Sequence, residues 1–227
     1  MRKWKALKTC ESEGNCTCKP EDGCGKDCES RLIMFECNDR TCGIGDYCTN
    51  RRTAHFRQDK IHETLEIREV ENQGYGIASK CCLPSGSMVM EYIGEVITEV
   101  ERMSRWQEYT DKKLFYVLSL TGGLYIDATR KGNWARFANH SCEPNCRIER
   151  IVVDGEPRII FVTVKGISPE DQITIPYDFD ASSNPQVCKC GEKSCTGIIG
   201  LKAKKSQKRK ESDDIGPSSK RRHQAGT

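Results

Sequence analysis

The side chains best equipped for chemistry in this 227-residue sequence are its fifteen cysteines, and they fall in groups. Cys16, Cys18, Cys24, Cys28, Cys37, Cys42 and Cys48 follow one another closely, with Cys10 ahead of them. The residues between are mostly Gly, Asp, Glu, Lys and Asn, too polar to close a hydrophobic core. Metal binding must therefore supply much of that segment's folding free energy. Seven thiolates fall one short of two separate tetrahedral zinc sites, unless one sulfur bridges both ions. Further along, CKCGEKSC supplies Cys188, Cys190 and Cys195, three ligands for an ion that needs four. Cys142 or Cys146 is the natural fourth donor. Both belong to residues 136–146, RFANHSCEPNC, a dense polar stretch stiffened by a proline. There Asn139 offers an acceptor and donors, with His140 beside it. A zinc shared with the C-terminal cysteines would fold them over whatever binds at this stretch. It reads as the hinge of a small cofactor-dependent enzyme.

Short strands must position these groups. Leu65, Ile67 and Val70, with charges between them, form one strand pattern. NQGYGIAS then sets a glycine on either side of Tyr75, a tight turn where backbone can approach a ligand. SMVMEYIGEVI, residues 87–97, reads as a strand broken at Gly94. Thr98 and Glu101 make a capping box, and Val100, Met103, Trp106 and Tyr109 recur every three residues. This predicts a helix over residues 99–111 with its apolar stripe packed in the core. FYVLSL, LYI, Ile148, residues 151–153 and RIIFVTV read as further strands, the last apolar enough to be central. The fold class is mainly β, in several small sheets with Gly-rich turns. No βαβ repeat and no GxGxxG fingerprint points to a doubly wound nucleotide-binding fold.

Hydrophobic content is 36%, enough for a modest core. An apolar leader is not apparent in MRKWKALKTCESEG and no run has the length of a membrane span, so an intracellular chain without a membrane segment is expected. In that setting abundant cysteine means metal rather than disulfides. The net charge of +3 is unevenly placed: residues 202–227 hold nine Lys or Arg against three acids. A slightly acidic body suits a cationic substrate and the basic tail an anionic partner.

Taken together, the cysteine segment, GEV, RFANHSCEPNC, a tyrosine 38 residues beyond Asn139 and the CxCx4C ending resemble a SET-domain histone-lysine methyltransferase. The likeness is to the histone H3 lysine 36 class, with AWS and post-SET zinc segments. It implies an AWS segment over residues 11–62, a SET catalytic domain over 63–180, a post-SET segment over 184–200 and a basic disordered tail over 201–227. It also implies a SET fold with a pseudoknot, a rare exception to unthreaded connections. Three structural zinc ions follow from it. Cys16, Cys18, Cys24 and Cys28 would hold one, and Cys24, Cys37, Cys42 and Cys48 a second, with Cys24 shared. Cys142, Cys188, Cys190 and Cys195 would hold the third, leaving Cys81, Cys82 and Cys146 as spares. CTNRRTAHF resembles the CxNQRF end of an AWS segment, with Thr53 and Ala54 intruding before Phe56.

The cofactor implied is S-adenosylmethionine, with contacts at Gln73, Gly74, Tyr75, Phe115, Tyr116, Asn139, His140 and Gln186. Tyr177 and Tyr116 would be the catalytic tyrosines, and Tyr92 would shape the substrate side. Arg136 and Glu95 read as structural, through charge-assisted hydrogen bonds. Methyl transfer to a lysine requires the neutral amine, whose ordinary pKa is about 10.4. A narrow aromatic channel would lower that value by desolvation and align the reacting atoms. One departure stands out: the family's ELTFDY-like segment reads QITIPY here, with Ile175 where relatives carry Phe or Tyr, and Pro176 after it. Ile175 has no hydroxyl to hold a restricting water, so dimethyl- or trimethyllysine products are expected. The same changes leave open a weakly active or inactive SET protein that binds chromatin. The expected partners are the histone H3 tail and the nucleosome, with lysine 4 the alternative target to lysine 36. KAKKSQKRK and SSKRRHQ resemble a bipartite nuclear import signal and could touch DNA phosphates. The nucleus, on chromatin, is the expected location.

Overall fold

The computed structural model describes residues 16–112, 114, 116–177 and 186–199. The expectations for Cys10, Phe115 and the basic tail fall outside them. Residues 16–64 hold only single helical turns, α1 (Glu29–Leu32), α2 (Arg52–His55) and α3 (Ile61–Thr64). Cys24, Cys28, Cys37, Cys42 and Cys48 are buried there together with Ile44. Sulfur takes the place that aliphatic side chains occupy elsewhere.

The rest of the described chain is mainly twelve short strands in five small sheets. β1 (Leu65–Val70) and β2 (Gly74–Ser79) pair antiparallel. The expected glycine turn at NQGYGIAS is therefore shorter than its motif: the chain turns at residues 71–73, and Gly74 onwards is strand. β3 (Met88–Glu91) and β4 (Gly94–Thr98) belong to two different sheets. The single broken strand expected over residues 87–97 is corrected accordingly. The chain changes sheets at Tyr92 and Ile93. Gly94 is needed because a Cβ there would come within 2.5 Å of the Asp127 carbonyl oxygen.

Helix α4 (Glu99–Asp111) starts where its capping box places it: Thr98 Oγ1 accepts from the Glu101 N–H, and the Glu101 carboxylate accepts from the Thr98 N–H. Its apolar stripe does not pack as expected. Tyr109 is 1% exposed, whereas Val100 and Met103 are 78% and 64% exposed. Nine residues at about 100° each turn Val100 about 180° away from Tyr109, so a period of three cannot keep both on one sheet. Tyr109 docks by donating its hydroxyl to Asp127, at 2.6 Å, on β6 (Leu124–Gly132). β6 lies between β4 and β5 (Val117–Ser119).

After β7 (Asn139–His140) comes a long hairpin, β8 (Cys146–Val153) and β9 (Glu156–Thr163), in unbroken register. Its turn is Asp154-Gly155, both at positive φ, as a two-residue hairpin loop demands. β9 is central in the β3-β9-β8 sheet, and Ile159 through Thr163 are all 0% exposed. Ile159 and Phe161 face the main core with Ile77, Met90 and Ile173; Ile160 and Val162 face Ile151 and Val153. Burial on both faces explains why RIIFVTV has no polar alternation. The far end of β8 carries the cysteine-rich segment. Backbone hydrogen bonds join Glu36 and Met34 to Val152, and Arg52 pairs with the buried Glu149 carboxylate at 2.7 Å. β10 (Thr174–Ile175) pairs parallel with β7, and β11 (Gln186–Val187) antiparallel with β12 (Ile198–Ile199). Among the described residues no helix is long and apolar enough to cross a membrane.

Candidate cofactor cavity and metal centres

The β7–β10 pair brings residues far apart in sequence to one point. Thr174 lies opposite Asn139 and Ile175 opposite His140. Tyr177, two residues past β10, donates its N–H to His140 Nδ1 at 3.0 Å. That contact makes Nδ1 an acceptor, so the neutral ring carries its proton on Nε2. Burial holds the His140 pKa below its ordinary value. The Tyr177 hydroxyl donates to the Ala138 carbonyl at 2.8 Å, and burial raises its pKa, so the phenol keeps its proton.

Around this point lies a cavity of about 360 Å³. Gln73, Gly74 and Tyr75 wall it where β2 begins, Tyr116 from just before β5, Arg136, Phe137, Asn139 and His140 from β7 and the approach to it, and Tyr177 from beyond β10. Val187, Cys188, Lys189 and Ile199 close it from the C-terminal strands. The Arg136 guanidinium lies 4.3 Å from the Tyr116 ring centroid and donates to the Thr129 carbonyl. The Asn139 side-chain N–H2 donates to the Tyr75 carbonyl at 3.2 Å and to Gln172 Oε1 at 2.7 Å. Gly76 permits that approach: a Cβ there would lie 2.6 Å from Gln172 Oε1 and 3.0 Å from Asn139 Nδ2. Gln73 reaches across the cavity to donate to the Lys189 carbonyl at 3.1 Å.

Six of the residues expected at a cofactor site, Gln73, Gly74, Tyr75, Tyr116, Asn139 and His140, line this one cavity. Gln186 sits in β11, one residue before the lining Val187. Phe115 is outside the described residues. Tyr92 is not on the cavity wall: it is 4% exposed, and its hydroxyl donates to the Tyr116 carbonyl at 2.8 Å. Its place is beneath Tyr116, in the core. Ile175 is 2% exposed and packs in the core as well. Sequence reasoning missed Phe137 and Lys189 on the wall and Gln172 behind it. Phe137 lay inside the anchor motif, while a lone glutamine carries no periodic or spacing signal.

Three groups of thiols have their sulfurs within 4.8 Å of one another. They are Cys16, Cys18, Cys24 and Cys28; Cys16, Cys24, Cys37 and Cys42; and Cys142, Cys188, Cys190 and Cys195. The separations of 3.4 Å for Cys16–Cys24, 3.5 Å for Cys24–Cys42 and 3.8 Å for Cys142–Cys188 suit four sulfurs around an ion with bonds of about 2.3 Å. Cys24 belongs to both N-terminal groups, and so does Cys16. Cys48 stands outside the second group, though it is near enough to perturb the Cys24 and Cys42 thiols. Burial pushes Cys16 and Cys37 up to about 12. Against the same push, backbone N–H groups and neighbouring thiols hold Cys42 and Cys190 down to about 7. Four thiols gathered this closely suit a divalent cation, which deprotonates its ligands outright. Cys146 is in no group; it is 1% exposed in the main core.

Two further contacts tie the C-terminal cysteines to the anchor. Ser141 Oγ donates to the Glu192 carboxylate at 3.1 Å, and Ser194 Oγ donates to Glu143.

Comparison with known proteins places these features in a wider set. A SET domain family model matches residues 74–178, and an AWS domain model matches residues 19–55. Histone-lysine N-methyltransferase SETD2 of Homo sapiens is 40% identical over 197 residues, covering 82% of this chain and 8% of that protein. A histone-lysine N-methyltransferase, H3 lysine-36 specific, of Coccidioides immitis is 38% identical over 191 residues, covering 82% of this chain and 18% of its own. Histone-lysine N-methyltransferase NSD3 of Mus musculus is 34% identical over 196 residues, with 83% and 13% covered. The chain thus spans less than a fifth of the length of each of these relatives.

Proposed function

This chain belongs to the SET-domain family, with an AWS domain ahead of the SET domain, and from that premise we propose that it is an S-adenosylmethionine-dependent protein-lysine N-methyltransferase. Its proposed substrate is histone H3 in nucleosomes, at lysine 36, the residue that similar proteins carry in their names. The observation that carries the reading is the convergence of Gly74, Tyr116, Asn139, His140 and Tyr177 on one cavity. Its volume is in the range that small-molecule sites occupy. It joins an amide, backbone at a positive-φ glycine and aromatic faces that suit a cationic sulfonium.

S-adenosylmethionine, when bound, supplies the methyl group. The chain's own residues do the rest. Tyr116, Phe137 and Tyr177 keep water from the reacting amine, and desolvation favours its neutral form. Because burial keeps the Tyr177 phenol protonated, this residue orients the amine rather than deprotonating it. Its proton is committed to the Ala138 carbonyl, which leaves the oxygen's lone pairs to accept an amine N–H. The remaining expected contacts are Gln73, Tyr75 and Gln186, with Phe115 on the strand. The metals are structural zinc ions, two in the AWS segment over residues 11–62 and one joining Cys142 to the post-SET segment over 184–200. A pseudoknot within the SET domain over residues 63–180 is supported by the parallel β7–β10 pair, which encloses the whole β8–β9 hairpin. The basic residues 201–227 suit nuclear import and phosphate contact, and the site of action is chromatin.

Incubating the purified chain with labelled S-adenosylmethionine and nucleosomes, histone octamers or H3 peptides tests this. Label should enter histone H3 and vanish when lysine 36 is replaced by arginine. Incorporation at another lysine would correct the target, and none on any substrate would overturn the enzyme reading.

A further inference from the structure

Gln172 is not itself part of the cavity wall, yet one of the wall's polar groups depends on it. The Asn139 amide can present either end to a ligand, and the two ends recognise opposite chemistry: Oδ1 accepts, Nδ2 donates. In the folded chain Nδ2 is held by two acceptors, the Tyr75 carbonyl at 3.2 Å and Gln172 Oε1 at 2.7 Å. A main-chain carbonyl cannot donate, so the Tyr75 contact fixes which end of Asn139 points there. Among the described residues Asn139 Oδ1 has no partner.

Gln172 is itself held on several sides. Its carbonyl accepts from Asn145 Nδ2 at 2.7 Å, and it forms a β-bridge with Ala78. Asn145 in turn takes the Thr174 N–H on its Oδ1 at 2.9 Å. Gly76 leaves the room for the glutamine's end, since a Cβ there would collide with Oε1. One glutamine side chain is thus placed by β2, by β10 and by the turn before β8.

We propose that Gln172 is a positioning residue of the cofactor cavity, locking the Asn139 amide so that its oxygen faces the cavity and accepts an N–H from the bound ligand. The inference rests on the cavity being the S-adenosylmethionine site, a molecule whose ammonium and adenine amino groups are such donors. Gln172 contributes an acceptor, and a carboxylate would serve equally.

The test measures S-adenosylmethionine binding by calorimetry, and KM and kcat with nucleosomes, for the zinc-loaded chain and its Q172M and Q172E variants. Methionine keeps the side-chain length and loses the acceptor. Q172M should raise the cofactor Kd and KM about 5- to 10-fold, the scale of one mispositioned hydrogen bond, with kcat at saturation within about twofold. Q172E should bind as the unsubstituted chain does. Equal cofactor binding by Q172M would overturn the proposal alone, and so would a fall in kcat at unchanged KM. Should Q172M fail to fold, Q172E decides: a tenfold loss of affinity in that folded variant would overturn it. No binding by the unsubstituted chain would overturn the cofactor reading, and this inference with it.

Discussion

Tyr177 on the cavity wall and Ile175 in the core beside it bear on what would happen to an amine there. Tyr177 has its hydroxyl bound to the Ala138 carbonyl and a pKa raised by burial, so the Tyr177→Phe variant loses one aimed polar group and little volume. Its kcat should fall by about 10²-fold, while calorimetry finds S-adenosylmethionine affinity within about threefold of the original. Ile175 is the second. The sequence places an aliphatic side chain where the resemblance to the SET family implies Phe or Tyr, and the folded chain buries it at 2% exposure beside β7. Without a hydroxyl there, product analysis by mass spectrometry should show dimethyl- or trimethyllysine accumulating on histone H3. A series that stops at monomethyllysine would refute that expectation.

At the scale of elements, β11 and β12 form a flap over the cavity, fastened by the Cys142 thiol group, by Gln73 to Lys189 and by Ser141 to Glu192. Cys142→Ser should open it part of the time. If the closed form falls to a tenth of the population, apparent cofactor affinity falls about tenfold, with no change in the chemistry of the closed form. Equilibrium binding of S-adenosylhomocysteine would measure this. Helix α4 is secured differently. Asp127 is 0% exposed and accepts from Tyr109, Thr129 and Arg105. Burial pushes its carboxyl pKa up, but these donors prevail and hold it below the ordinary 3.8. A lowered folded pKa means that its stabilisation is complete above the unfolded value and fades as pH falls through the folded one. Asp127→Asn should therefore cost about 3 kcal/mol at pH 7 and much less at pH 2, read by urea denaturation at each pH. Elements of this kind differ in how legible they were. The α4 boundaries follow from a capping box that acts within one turn. The exposure of Val100 and Met103 depends on which face meets β6, a tertiary fact that a period of three left ambiguous. Two-residue strands such as β7 and β10 have no pattern of their own, because two residues cannot display a period.

For the molecule as a whole, cysteine groups and an apolar core divide the work. The cysteine groups were legible because ligand chemistry demands particular residue types at close spacing; the identity of the sulfurs around each N-terminal ion was not, since Cys16, Cys24 and Cys48 all lie within reach. Elemental analysis should find three zinc ions per chain, one for each sulfur group. Stripping them with a strong chelator should unfold residues 16–55, whose buried hydrophobic residues are cysteines and Ile44 alone, while amides of β8 and β9 stay protected from hydrogen exchange. Cofactor binding should disappear in the same titration. The β7–β10 pairing has a last consequence, for the order in which the nascent chain can assemble. On the ribosome the β8–β9 hairpin closes locally, from residues 146–163 alone. β10 can take its place against Asn139 and His140 only once that hairpin is complete, and the wall formed by Ile199 is made after both. Translation stalled short of residue 199 should leave a folded body without cofactor affinity, so binding would be acquired abruptly, as residues 186–199 emerge.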